Sequence, residues 1–174
     1  MKVKLALGAL AVCLALAWGC GQSPSATAKA TLVNGKGKKV GEATLTETSK
    51  GVKIVMTVEN LPPGVHAFHI HEKGVCETPD FKSAGGHFNP YGKQHGFENP
   101  AGPHAGDLPN ITVAPDGTAS VEVFTKLVTL KTGVKNSLFP PSGTSLVIHA
   151  GADDYVTNPA GGAGPRIACG VITK

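Results

Sequence analysis

The chain holds seven histidines, at positions 66, 69, 71, 87, 95, 104 and 149, and six of them fall in patterns that suit metal ligation. His69 and His71 form an H-x-H pair in GVHAFHIH. His87, His95 and His104 follow at intervals of eight and nine residues, with Asp107 three residues further on. On a strand, His69 and His71 would share one face while Phe68 and Ile70 turn to the core. Two rings spaced about 6 to 7 Å apart along a strand can chelate one ion. Such a pair alone is weak evidence, and more often marks surface histidines on an exposed strand face. The stretch HFNPYGKQHGFENPAGPHAGD is more telling, because three histidines and an aspartate sit in a segment with no other reason to be ordered. Three nitrogens and one carboxylate make a closed four-coordinate set, suited to structural zinc. His149, in SLVIHA, adds a nitrogen from a distant strand that could lie beside the first pair. A set of imidazoles without a carboxylate suits copper in a tetragonal arrangement. Affinity alone would give copper both places, so geometry must separate the metals.

These residues need elements to hold them. Strand-like alternation covers residues 28–33, 39–47 and 51–59, separated by NGKGK and TSKG, and LPPG turns the chain into a fourth strand over 65–71. Strands resume at 110–113 and 118–124 across the APDG turn, then at 145–149 and 167–172. Eight short strands without a convincing helix predict an all-β antiparallel sandwich or barrel. Two long loops remain, over 72–108 and 150–165. A structureless loop as long as the first is suspect unless something holds it together, and a metal ion and a disulfide from Cys76 are the expected agents.

Residues 1–19 read as an export leader, with two lysines and then a long apolar run ending at Trp18-Gly19. Cys20 follows at once, in a setting that resembles the lipobox of bacterial lipoproteins and would make Cys20 the first mature, lipidated residue. Ala17 and Trp18 depart from the usual wording, so simple secretion and an uncleaved anchor stay open. Residues 20–29 carry no apolar periodicity and read as a flexible tether, able to hold a domain about 30 Å from an anchor. Residues 30–174 form the expected single domain, since about 154 residues after the leader suffice for one core. Of the formal charge of +4, Lys2 and Lys4 belong to the leader, which leaves 14 basic against 12 acidic residues. No stretch gathers basic and aromatic side chains, which argues against nucleic acid. Cys76 and Cys169 are the only cysteines of the domain, and an oxidising compartment makes a disulfide their natural reading, with thiolate ligation the alternative.

The wording GVHAFHIHEKGVC, SAGGHFNPYGKQHG, HAGDLPN, VIHAGADD and GPRIACGVI resembles the copper/zinc superoxide dismutases of the bacterial exported type. The resemblance implies a Greek-key β-barrel with two functional loops and one copper and one zinc per subunit. It implies copper on His69, His71, His87 and His149, with His87 bridging to zinc, and His95, His104 and Asp107 completing the zinc site. Asp153 would orient ligands of both metals, Cys76 and Cys169 would form the intrachain disulfide, and Arg166 would stand beside the open copper position. His66 is left as a structural residue. Superoxide is the implied substrate, a homodimer is an open assembly state, and the membrane enters only through an anchor at Cys20. The second loop lacks lysine and glutamate, so Arg166 would have to act with lysines such as Lys73, Lys82 or Lys93. Ala160 falls about where a channel threonine is common in animal members, and Pro165 where a serine is common.

Two other functions fit parts of the pattern. A non-catalytic, surface-tethered copper and zinc carrier would use the histidines, yet needs neither a bridging ligand nor an anion guide. An immunoglobulin-like adhesion module would share the strand pattern and give no reason for the histidine spacing.

Overall fold

The computed structural model describes residues 25–174. The expected leader and the Cys20 lipidation site lie outside the described residues. Nine strands follow one another: β1 (Thr27–Asn34), β2 (Lys39–Thr48), β3 (Gly51–Val58), β4 (Gly64–His66), β5 (Phe68–His71), β6 (Ile111–Val113), β7 (Ala119–Thr125), β8 (Ser145–His149) and β9 (Arg166–Val171). Among the described residues the only helical element is a 3₁₀ turn at Lys82–Ala84. Seven strands form one antiparallel sheet in the order β5-β8-β9-β1-β2-β3-β7, and β4 pairs with β6. The all-β antiparallel expectation holds.

Alternation writes this sheet. In β1 the exposed and buried positions alternate over Thr27–Leu32, and in β3 Val52, Ile54, Met56 and Val58 are buried on one face. These side chains meet Leu45, Phe68, Ile70, Leu146 and Ile148 in one core. Its apolar burial is the main stabilising term of the fold.

Two boundaries differ from those read in sequence. The fourth strand splits at Ala67, so the described residues hold nine strands. Ala67 receives the His149 N–H on its carbonyl and donates its own N–H to Gly151, and β4 departs there to pair with β6. The domain also begins inside the expected tether of residues 20–29. Thr27, Ala28 and Lys29 already pair with Thr46, Leu45 and Thr44, and Ala28 is buried.

β5 and β8 are buried on both faces. Phe68, Ile70, Leu146 and Ile148 enter the main core, while Val147 packs with Phe81, Ala84 and Cys169 in a second cluster under the first loop. Cys76 and Cys169 are disulfide-bonded, with a sequence separation of 93 residues. Loop 72–110 is therefore a second layer laid over the sheet.

Candidate metal centre

The loop reaches the sheet by backbone bonds as well as by the disulfide. The Ile70 N–H donates to Gly106 O at 2.8 Å, the Phe88 N–H to Ile70 O at 2.8 Å, and the Gly106 N–H to Phe88 O at 2.8 Å. These bonds put His87 opposite His71 and Asp107 opposite His69 along the free edge of β5. Gly106 must be glycine, since a Cβ there would lie 2.2 Å from Ile70 O. The ladder between β5 and β8 brings His149 to the same face, with His69 opposite Val147 and His71 opposite Ser145.

Two donor sets result. The nitrogens of His69, His71, His87 and His149 lie within 4.8 Å of one another, and so do the donors of His87, His95, His104 and Asp107. All seven side chains are buried. Hydrogen bonds to outer partners fix which nitrogen of each ring faces the centre. A carbonyl only accepts, so the His71 Nδ1–H donates to Gly85 O at 3.0 Å and the His149 Nδ1–H donates to Gly164 O at 3.1 Å. The two Nε2 atoms, bare in the neutral rings, then face each other at 3.4 Å. His69 donates its Nε2–H to Asp153 Oδ2 at 2.7 Å, which leaves Nδ1 bare and without a partner. His87 Nε2 is also buried without a partner. Four converging lone pairs with no proton among them fit a cation and little else.

The second set gathers on one carboxylate. Asp107 Oδ1 lies 2.8 Å from His87 Nδ1, 3.0 Å from His95 Nδ1 and 3.4 Å from His104 Nδ1. Asp107 Oδ2 accepts the backbone N–H groups of Gly96 and His104, each at 2.9 Å. A tetrad of three imidazoles and one carboxylate suits zinc, and the carboxylate-free set suits copper. His87 belongs to both through its two ring nitrogens. Asp153 joins the sets from outside, since its Oδ1 accepts the His95 Nε2–H at 2.9 Å while its Oδ2 serves His69.

Protonation follows from these surroundings in the metal-free protein. Burial pushes His71 well below the ordinary imidazole value, lowers His87 to about 4 and lowers His149 to about 3, with neighbouring imidazoles adding to the shift. Burial also opposes the charge on His95, but hydrogen bonds to Asp107 and Asp153 outweigh it and raise this ring to about 9. The difference is two flanking carboxylates on His95 against one on His87 and none on His71 or His149. Burial disfavours both carboxylates as anions, yet the hydrogen bonds from His104, His87 and His95 hold Asp107 far below its ordinary value. Those from His69 and His95 do the same for Asp153.

A cleft of about 420 Å³ opens over His71, His87, His104 and His149, with Arg166 and Ala160 on its wall. Arg166 is pinned there, donating Nη1–H to Phe81 O and Nη2–H to Gly85 O, each at 2.6 Å. Gly85 O thus serves both Arg166 and His71. Among the lysines considered as helpers, Lys82 is ion-paired with Asp80 at 2.6 Å and Lys73 lines an adjoining depression with Glu72 and Asn89. Lys93 offers its backbone to the Asn89 side chain. His66 lies outside both sets, with its ring nitrogens 2.8 Å from His149 O and from Pro62 O.

Residues 39–172 match the family model described as copper/zinc superoxide dismutase. The chain belongs to that family. A superoxide dismutase [Cu-Zn] of Aquifex aeolicus is 58% identical over 146 residues, covering 83% of this chain and 85% of that protein. One from Caulobacter vibrioides is 48% identical, covering 84% of this chain and 85% of its own. Among solved structures, a double mutant of a superoxide dismutase-like protein from Bacillus subtilis superposes with a TM-score of 0.81 at 47% identity, covering 84% of this chain and 97% of that one. The Cu/Zn superoxide dismutase from Brucella abortus superposes with a TM-score of 0.68 at 31% identity, covering 84% and 99%. The chain is accordingly an oxidoreductase that uses copper and zinc to convert superoxide to dioxygen and hydrogen peroxide. This reading is supported over the carrier, and the adhesion module falls with the family assignment.

Sequence reasoning missed two residues at this superoxide dismutase centre. Asn110 and Tyr155 hold Asp153, and no spacing rule marks an amide or a phenol that acts through backbone atoms.

Proposed function

We propose that His69, His71, His87 and His149 hold the copper, that His87, His95, His104 and Asp107 hold the zinc, and that His87 bridges them. The observation that carries this reading is the meeting of His71 Nε2 and His149 Nε2 at 3.4 Å beside the partnerless His69 Nδ1 and His87 Nε2. Copper, when bound, supplies the one-electron redox chemistry of the dismutation. The remaining work falls to the chain. Arg166 draws the superoxide anion into the cleft, because a guanidinium stays charged at every working pH and its two carbonyl acceptors fix its place. His87 Nε2, when not otherwise engaged, can carry a proton to the cleft, while Nδ1 stays with the Asp107 cluster. Asp107 and Asp153 anchor the rings from behind and set which nitrogen each presents.

This reading is tested by metal analysis and superoxide decay on the purified domain. One copper and one zinc with activity are expected, and His149→Ala should keep zinc and lose activity. Zinc alone, with no activity after copper loading, would overturn it.

The enzyme is further read as exported, with a leader over residues 1–19 and Cys20 as a lipid anchor on the periplasmic face or the outer cell surface. Fractionation of Cys20→Ser tests the anchor, since release from membranes is expected. A homodimer completes the reading, supported by the exposed Phe97 and Phe124 beside one apolar groove. Sedimentation at micromolar concentration checks it.

A further inference from the structure

Asp153 connects the two donor sets, so whatever holds Asp153 governs both. Its backbone is clamped by one side chain, with the Asp153 N–H donating to Asn110 Oδ1 at 2.8 Å and the Asn110 Nδ2–H donating to Asp153 O at 2.9 Å. Asn110 is in turn held by Tyr155, whose hydroxyl oxygen accepts the Asn110 backbone N–H at 2.7 Å. Tyr155 also grips the carboxylate directly, since its own N–H donates to Asp153 Oδ1 at 2.6 Å. That oxygen is the one that accepts from His95 Nε2. A third contact runs from Tyr155 O to the Glu98 N–H at 3.0 Å, on the loop that carries His95.

One residue makes these contacts because of its backbone. Tyr155 has φ 61°, in the left-handed region that side-chain-bearing residues rarely adopt. An outlier of this kind persists only where its surroundings over-determine it. Here they do so on both sides. Phe97 packs on the Tyr155 ring at 5.8 Å, and a Cβ at Gly96 would lie 1.9 Å from Tyr155 O, so the two loops are in direct contact. The carboxylate has no room to swing, since a Cβ on Gly161 would lie 1.8 Å from Asp153 Oδ1.

We propose that Tyr155 is a positioning residue that latches the 150–165 loop onto the loop carrying His95 and Asn110, and so fixes the carboxylate of Asp153 behind both metal sites. The latch acts through Asp153 and touches no metal donor with its side chain. The proposal rests on the assignment of zinc to His87, His95, His104 and Asp107.

Zinc retention reads the latch without reference to catalysis. Zinc-loaded, copper-free protein is mixed with a colorimetric chelator at neutral pH, and the rate of zinc loss is followed for wild type, Tyr155→Phe, Asp153→Asn and the double variant. Loss of an outer partner of a ligand costs about 10- to 100-fold in metal affinity. Asp153→Asn should fall in that range, and Tyr155→Phe, one bond further out, should release zinc about 3- to 10-fold faster than wild type. The double variant should match Asp153→Asn, because the phenol has nothing left to position. Release from Tyr155→Phe at the wild-type rate, or multiplied effects in the double variant, would overturn the latch. If Tyr155→Phe does not fold, Asn110→Ser enters the same cycle and is read by the same two outcomes. Failure of the wild-type protein to take up one equivalent of zinc would instead sink the site assignment itself.

Discussion

The two halves of the centre are built in different ways. Three of the four residues proposed for copper, His69, His71 and His149, stand on β5 and β8, where a backbone ladder positions them. The residues proposed for zinc all come from loop 72–110, where order depends on a few edge bonds, a disulfide and the convergence of side chains on Asp107. The strand half is positioned by backbone pairing that any sequence of the right polarity could supply. The loop half is positioned by the chemistry of the residues it presents. His87 joins a rigid wall to a conditional one.

The comparison breaks most sharply at Asp107. Asp107→Asn removes the charge on which three imidazoles and two backbone N–H groups converge, and should weaken zinc binding by more than about 100-fold and destabilise the metal-free protein by about 3 to 5 kcal/mol. Elemental analysis and thermal unfolding read the two effects, and copper uptake by the strand half should survive. Retained zinc would erase the distinction between the halves.

Next is the covalent tie. Cys76→Ser with Cys169→Ser should cost up to about 4 to 5 kcal/mol in the chain-entropy picture. Chemical denaturation gives the number. The loop half should also bind zinc more weakly, since the Phe81 to Gly85 stretch loses its hold on the second core cluster.

Acid and alkali should act on different rings in the metal-free protein. His87 near 4 and His149 near 3 stay neutral when folded, whereas an unfolded imidazole takes a proton near 6.5. The unfolded state therefore binds more protons below about 6.5, and stability should fall by a few kcal/mol as pH drops from there through 4 and 3. His95 has the opposite sign. Raised to about 9, it contributes fully below about 6.5 and its contribution is lost as pH rises through 9. Calorimetry on chelator-treated protein should show decline on both sides, and a flat acid limb would contradict the burial of the neutral rings.

The smallest effect belongs to a residue that is a member of neither set and meets the first only through Gly85 O. Arg166→Ala should slow dismutation by about 10-fold and flatten its dependence on ionic strength, with metal content unchanged. Kinetics across a salt series decides it. An unchanged salt profile would leave Arg166 only its two loop carbonyls.

Much of this was legible in the chain. His69 and His71 declare themselves by strand period, and His87, His95, His104 and Asp107 by their density in a segment that nothing else would order. The disulfide followed from the cysteine count. The split at Ala67 was hidden, because GVHAFHIH alternates without a break and the change of partner depends on where β6 and Gly151 lie. Asn110 and Tyr155 were hidden for another reason. Their bonds run to backbone atoms 43 and 45 residues away, and such contacts leave no local period.

Residue type and spacing thus determined by themselves the candidate donors, the fold class and the family to which the copper/zinc chemistry belongs. Only the tertiary structure decided which nitrogen each histidine presents, because that depends on Gly85, Gly164, Asp107 and Asp153 standing behind the rings. A ligand is a property of a side chain, but its direction is a property of its neighbours.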